Sequence, residues 1–127
     1  MKIIWKATRE TRGGCICFSV VVNALSEESG GQNASTESNL NKMSMTIAEI
    51  CRKYAVSGYS LISQSGQYFS PEGKTYHEDS YRMEMIGITT RQLEGVAECL
   101  CREFCQRSVL INNYNTTEIY RITSQNN

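Results

Sequence analysis

Between residues 44 and 123 the spacing of apolar side chains switches from helical to alternating and back, twice, and that succession narrows the available folds more than any other feature. Thr46 is placed to cap a helix with Glu49 three residues on. Ile47, Ile50, Cys51 and Tyr54 then recur at helical spacing until Ser57-Gly58 ends the run. Tyr59, Leu61 and Ser63 alternate with Ser60, Ile62 and Gln64 in a strand that reaches Phe69, and Ser70-Pro71-Glu72-Gly73 supplies a turn. The returning strand is expected over residues 76 to 88, with Tyr81, Met83 and Met85 on one side and Arg82, Glu84, Ile86 and Ile88 on the other. Thr89 or Thr90 opens a second helix, whose Leu93, Val96, Ala97, Leu100 and Phe104 form one stripe. Residues 109 to 111 and 118 to 122 read as strands on either side of a polar interruption, Asn112-Asn113-Tyr114-Asn115.

Upstream, residues 15 to 25 alternate as a strand with Ile16, Phe18, Val20 and Val22 on its stronger apolar face. Ile3, Trp5 and Ala7 alternate before it, and Thr11-Arg12-Gly13-Gly14 can fold the two runs into a hairpin. Residues 26 to 44 are almost devoid of apolar anchors and predict a mobile loop, and residues 124 to 127 a disordered tail. A chain of 127 residues supplies one core, hence a single domain over 1–127. With right-handed crossovers, the order β, α, β, β, α, β generates an α+β ferredoxin-like βαββαβ plait. Its antiparallel sheet carries two helices on one face, with an extra N-terminal hairpin strand and an extra C-terminal strand. Apolar residues also fall on the helix-free face, where water alone would select polar ones, and assembly into a homo-oligomer would cover them.

Gly58-Tyr59-Ser60-Leu61, Ser65-Gly66-Gln67-Tyr68, Glu78-Asp79-Ser80 and Gln106-Arg107-Ser108-Val109-Leu110-Ile111 occur in that order. The succession resembles small phage and bacterial proteins of the PII-like and cation-tolerance-like plait group, over residues 45 to 112. What the resemblance implies is a trimer with sheets packed edge to edge and ligands in clefts between subunits, near the loop at residues 64 to 75. That loop is short and lacks the Lys- and Gly-rich pattern that holds phosphates in the signalling family, so nucleotide binding is not carried over. Arg82 and Glu84 share a strand face, with Lys74 and Arg121 close by in a plait and His77 in the same hairpin. These five are the candidate ligand-binding residues, suited to a small anionic ligand.

Thirteen Lys plus Arg against thirteen Asp plus Glu leave no basic excess for nucleic acid. The apolar run at the N-terminus breaks too early for a secretory signal or a spanning helix, so the expectation is a cytoplasmic protein without membrane contact. Six cysteines are then reduced thiols. A mixed zinc site from Cys15, Cys17, Cys101 and Cys105 would require the first strand to abut the second helix. The simpler reading is small apolar side chains, with no metal and no cofactor. His77, the single histidine, has no paired nucleophile, and no phosphate loop, dinucleotide fingerprint or nucleophile elbow occurs. The leading expectation is therefore a non-enzymatic oligomeric module of phage or mobile-element type that binds a small ligand or a protein partner. Two alternatives stand beside it: a host-factor inhibitor acting through residues 26 to 44, and a small enzyme using His77 with Glu84 or Arg82.

Overall fold

The computed structural model describes residues 1–2, 6–19 and 36–123, with the side chains of 36–40, 68 and 76–79 also left aside. Seven elements follow in chain order: β1 (Gly13–Phe18), α1 (Thr36–Lys53), β2 (Ser60–Phe69), β3 (Thr75–Ile86), α2 (Thr90–Glu103), β4 (Ser108–Asn113) and β5 (Glu118–Thr123). The strands form one antiparallel sheet in the order β2-β3-β1-β4-β5. This α+β arrangement is compatible with a ferredoxin-like plait, but the order is not that of a bare four-stranded one, because β5 is added outside β4.

Alternation along the strands sorts side chains onto two faces. Leu61, Met83, Ile16, Ile111 and Tyr120 lie in one cross-strand row, and Tyr81, Phe18, Val109 and Ile122 in the next. These rows meet Met43, Ile47, Ile50 and Cys51 of α1 and Leu93, Val96, Ala97 and Leu100 of α2 in a single core cluster. Phe104 completes the stripe and stacks on Phe18, with ring centroids 5.7 Å apart. Burying an aromatic pair of this kind contributes about 0.5–1.5 kcal/mol beyond its area.

Local chemistry sets the helix ends. Thr89 caps α2 in a capping box, its side chain accepting from the Gln92 amide while the Gln92 side chain accepts from the Thr89 amide. Both helices stop on a left-handed residue that is not glycine, Ala55 (φ 56) and Cys105 (φ 54). Each stop is closed by an amide reaching back five residues, Val56 N to Cys51 O at 2.9 Å and Gln106 N to Cys101 O at 2.8 Å.

Several boundaries differ from expectation. The helix expected to start at Thr46 starts at Thr36, so the loop expected over 26 to 44 is helical from there on. Met43 explains the extension: only 2% exposed, it adds an earlier turn to the stripe of Ile47, Ile50 and Cys51. Residues 26 to 35, the tail at 124 to 127 and the strand expected beyond residue 19 lie outside the described residues. No strand covers residues 6 to 8, so the N-terminal hairpin has no counterpart among the described residues. β3 ends at Ile86, and Gly87 (φ 81) turns the chain, leaving Ile86 57% exposed while Ile88 enters the core. The two had been expected on one face.

Candidate functional site

The alternation that sends Met83 and Met85 of β3 into the core aims Arg82 and Glu84 at the opposite, helix-free face. One row of that face reads Ile62, Arg82, Cys17, Leu110, Arg121, and the next reads Ser60, Glu84, Cys15, Asn112, Ile119. Tyr114, just beyond β4, is tied down by its amide to Gly13 O at 3.0 Å, and its hydroxyl donates to Glu84 Oε2 at 3.4 Å. Cys15 is only 5% exposed although it points away from the helices. Burial pushes the Tyr114 phenol up to about 12, helped by the Cys15 thiol beside it and the Glu84 charge, against the opposing pull of Arg82. The Cys17 thiol is also raised, by burial first and Cys15 second, with the Gln64 hydrogen bond and the Arg82 charge working the other way.

The Arg82 Nε is buried and has no hydrogen-bond partner among the described residues. An orphaned donor of this kind costs about 1–3 kcal/mol. Glu84 lines a cavity of about 390 Å³ together with Ser57, Gly58, Tyr59, Ser60 and Ile86. That size falls within the range of roughly 300–1,000 Å³ common for small-molecule sites. Arg82 stands two residues from Glu84 on the same face of β3, next to this cavity and outside its lining.

Of the five residues singled out in the sequence, the structure brings Arg82 and Glu84 together and leaves the others at a distance. Arg121 is on the same face, three strand spacings or about 14 Å from Arg82. It donates to Ser108 Oγ at 3.3 Å and borders a recess with Cys17, Gln64 and Ser80. Lys74 sits exposed in the β2–β3 turn, where its amide donates to Ser70 Oγ at 3.1 Å. His77 pairs with Gln67 in the hairpin, five residues and roughly 17 Å along β3 from Arg82. Sequence reasoning missed Tyr114 and weighed Cys15 only as a zinc ligand, because what brings the two beside Glu84 is the long-range register of β1 with β3 and β4.

The four cysteines considered for a mixed zinc site do not converge. Cys15 and Cys17 lie on the helix-free face, whereas Cys101 is in the helix-side core with its thiol donating to Ile122 O at 3.6 Å, and Cys105 is exposed. Among the described residues no group of three or more His, Cys, Asp or Glu is placed to hold a metal ion. No helix among them is long and apolar enough to cross a membrane.

No protein-family model and no curated protein matches the chain. Solved structures do. The chain is similar to a phage SAM lyase in complex with S-methyl-5′-thioadenosine, with a TM-score of 0.61, 18% identity, and 99% of each chain covered. It is also similar to a phage SAM lyase in the apo state, with a TM-score of 0.60, 18% identity, and 98% of each chain covered. At this identity the likeness shows the fold. It nevertheless corrects the leading expectation of a non-enzymatic PII-like binding module, since the matching structures are those of an enzyme and accord better with the small-enzyme alternative. The expectation failed because the motifs behind it report the plait, and one plait hosts both binding modules and enzymes.

Proposed function

We propose that this chain is a lyase that cleaves the sulfonium of S-adenosylmethionine on its helix-free face, releasing S-methyl-5′-thioadenosine. The observation that carries the reading is the likeness of fold along 99% of both chains to a phage SAM lyase. The charge pattern supports it. S-adenosylmethionine presents an α-carboxylate, an α-ammonium and a sulfonium, so Arg82 with its unpartnered Nε suits the first and Glu84 the two cations. Tyr59 packs against the core and backs the wall of the same cavity.

The chemistry requires no metal and no added acid. The Cγ–S bond breaks, its electron pair stays on sulfur, and neutral thioadenosine leaves. The four-carbon remnant either closes on its own carboxylate to a lactone, with no proton released, or gives up a β proton to become an unsaturated amino acid. The lactone route cancels a carboxylate against a sulfonium, so a site poor in water favours its transition state. Ile62, Ile86 and Ile119 leave 40%, 57% and 67% of their surface exposed on the helix-free face. We propose that further copies of the chain cover them in a homo-oligomer, a trimer being what the resemblance to the plait group implies. This assembly would be built on a βαββαβ plait formed by β4-β1-β3-β2, with β5 appended. Lys74, His77 and Arg121 would then reach the site only across a subunit boundary.

The test is incubation of purified protein with S-adenosylmethionine, followed by separation and mass analysis of thioadenosine and the four-carbon product. Glu84→Gln keeps the size and the Tyr114 contact but removes the charge, and should lower kcat/KM about 100-fold or more. Absence of thioadenosine above a protein-free control would end the reading.

A further inference from the structure

A second cavity, of about 860 Å³, lies at the end of the central strands, between the approach to β1, the start of α2 and the β4–β5 turn. Arg9, Arg12 and Arg91 line it, with Glu10 as its single carboxylate. Among the described residues none of the three guanidinium groups makes an ion pair or a side-chain hydrogen bond. Three guanidinium charges against one carboxylate repel one another in the empty cavity. The first turn of α2 does not relieve them, since it contains no acidic residue and places Arg91 at the positive end of the helix.

The floor beneath these arginines is rigid. Asn115 Oδ1 accepts from the amides of Arg12 at 2.6 Å and Gly13 at 3.1 Å, while its Nδ2 donates to Ile88 O at 3.2 Å. Asn113, fully buried, donates to Thr90 Oγ1 at 3.1 Å and accepts from the Asn115 amide at 2.9 Å. One pair of asparagines therefore fixes three cavity walls relative to each other, while the hydroxyls of Thr116 and Thr117 border the opening. Guanidinium groups aimed into a preformed polar cavity are the usual device for gripping phosphate oxygens.

We infer that this cavity binds a small phosphorylated anion carrying two or more phosphate groups, as a site separate from the one around Arg82 and Glu84. The net positive lining disfavours cationic S-adenosylmethionine, so the inference does not depend on the proposed lyase activity and survives its failure.

The experiment is calorimetric titration of the full chain with sodium tripolyphosphate at constant ionic strength, backed by thermal unfolding with and without it. The expected result is saturable binding that raises the melting temperature. Arg91→Gln should weaken it about tenfold, and the triple change R9Q/R12Q/R91Q should abolish it. These side chains are exposed, so the unliganded melting temperature should hold and report that the variants fold. Glu10→Gln should tighten binding severalfold, a gain that no folding defect can produce. Binding unaltered in the triple variant, no binding at millimolar tripolyphosphate, or binding of a single-stranded oligonucleotide but not of tripolyphosphate would each overturn the inference.

Discussion

Asn113→Leu tests how the end of the sheet is held together. Asn113 is the one buried polar residue among those described, at 0% exposure, and it ends β4 on the core side. Its Nδ2 donates to Thr90 Oγ1 at 3.1 Å and to Tyr120 Oη at 2.9 Å, and its Oδ1 accepts from the Asn115 amide at 2.9 Å. Tyr120 in turn donates to Glu94 Oε2 at 2.7 Å. Leucine has a similar volume and no polar atom, so the three bonds are lost with little change in packing. At about 0.5–1.5 kcal/mol each, the loss is roughly 3 kcal/mol. With an unfolding entropy of about 2.1 cal/mol/K per residue, a domain of this size should melt about 11 °C lower. Thermal unfolding followed by circular dichroism measures the change, and denaturant titration should give an unaltered slope. A melting temperature within about 3 °C of the parent would refute the claim that this network organises the α2 and β5 ends of the fold.

Three further outcomes follow from particular residues. Ala55→Gly relieves a left-handed alanine at the end of α1 and should raise stability by about 0.5–1 kcal/mol, since the strain removed exceeds the added chain entropy; a loss on denaturant titration would contradict the assignment. Cys105 is exposed, Cys17 is half-buried with its thiol pushed up by burial, and Cys15, Cys51, Cys99 and Cys101 are buried, so a thiol-specific disulfide reagent should show one fast phase that Cys105→Ser removes. Tyr114 and Tyr120 are held up to about 12, chiefly by burial, above an unfolded value of 10.0. Their contribution to stability is therefore complete below pH 10 and lost as pH rises towards 12; ultraviolet titration should find two of the seven tyrosines ionising last, and simultaneous ionisation of all seven near 10 would refute it.

What the sequence disclosed was whatever local periodicity encodes. The stripe of Leu93, Val96, Ala97, Leu100 and Phe104 is buried as expected, and Thr89 caps α2 because a glutamine stands three residues on. Arg82 and Glu84 fall together for the same reason, two positions apart on a period-two strand. The start of α1 was hidden, since Met43 is the lone apolar anchor in a polar stretch and gains its meaning only from the sheet it meets. Tyr114, Asn113 and Asn115 were hidden for a different reason. Two of their partners, Gly13 and Arg12, are brought close by the pairing of β1 with β4 across about a hundred residues of chain, and two others, Glu84 and Thr90, lie on β3 and at the start of α2. Asn112 to Asn115 read in isolation as a polar break, although the parity of Val109, Ile111 and Asn113 points the last of them inward.

Titration of isotopically labelled protein with S-methyl-5′-thioadenosine, followed by amide chemical shifts, tests most directly whether the helix-free face is the substrate site. Shifts clustered at Gly58, Tyr59, Glu84 and Tyr114 are predicted, and Arg82→Ala should leave them nearly unchanged, since the thioadenosine carries neither the carboxylate nor the cations assigned to Arg82 and Glu84. Shifts confined to Thr90, Arg91 and Thr116, or none at saturating ligand, would contradict it.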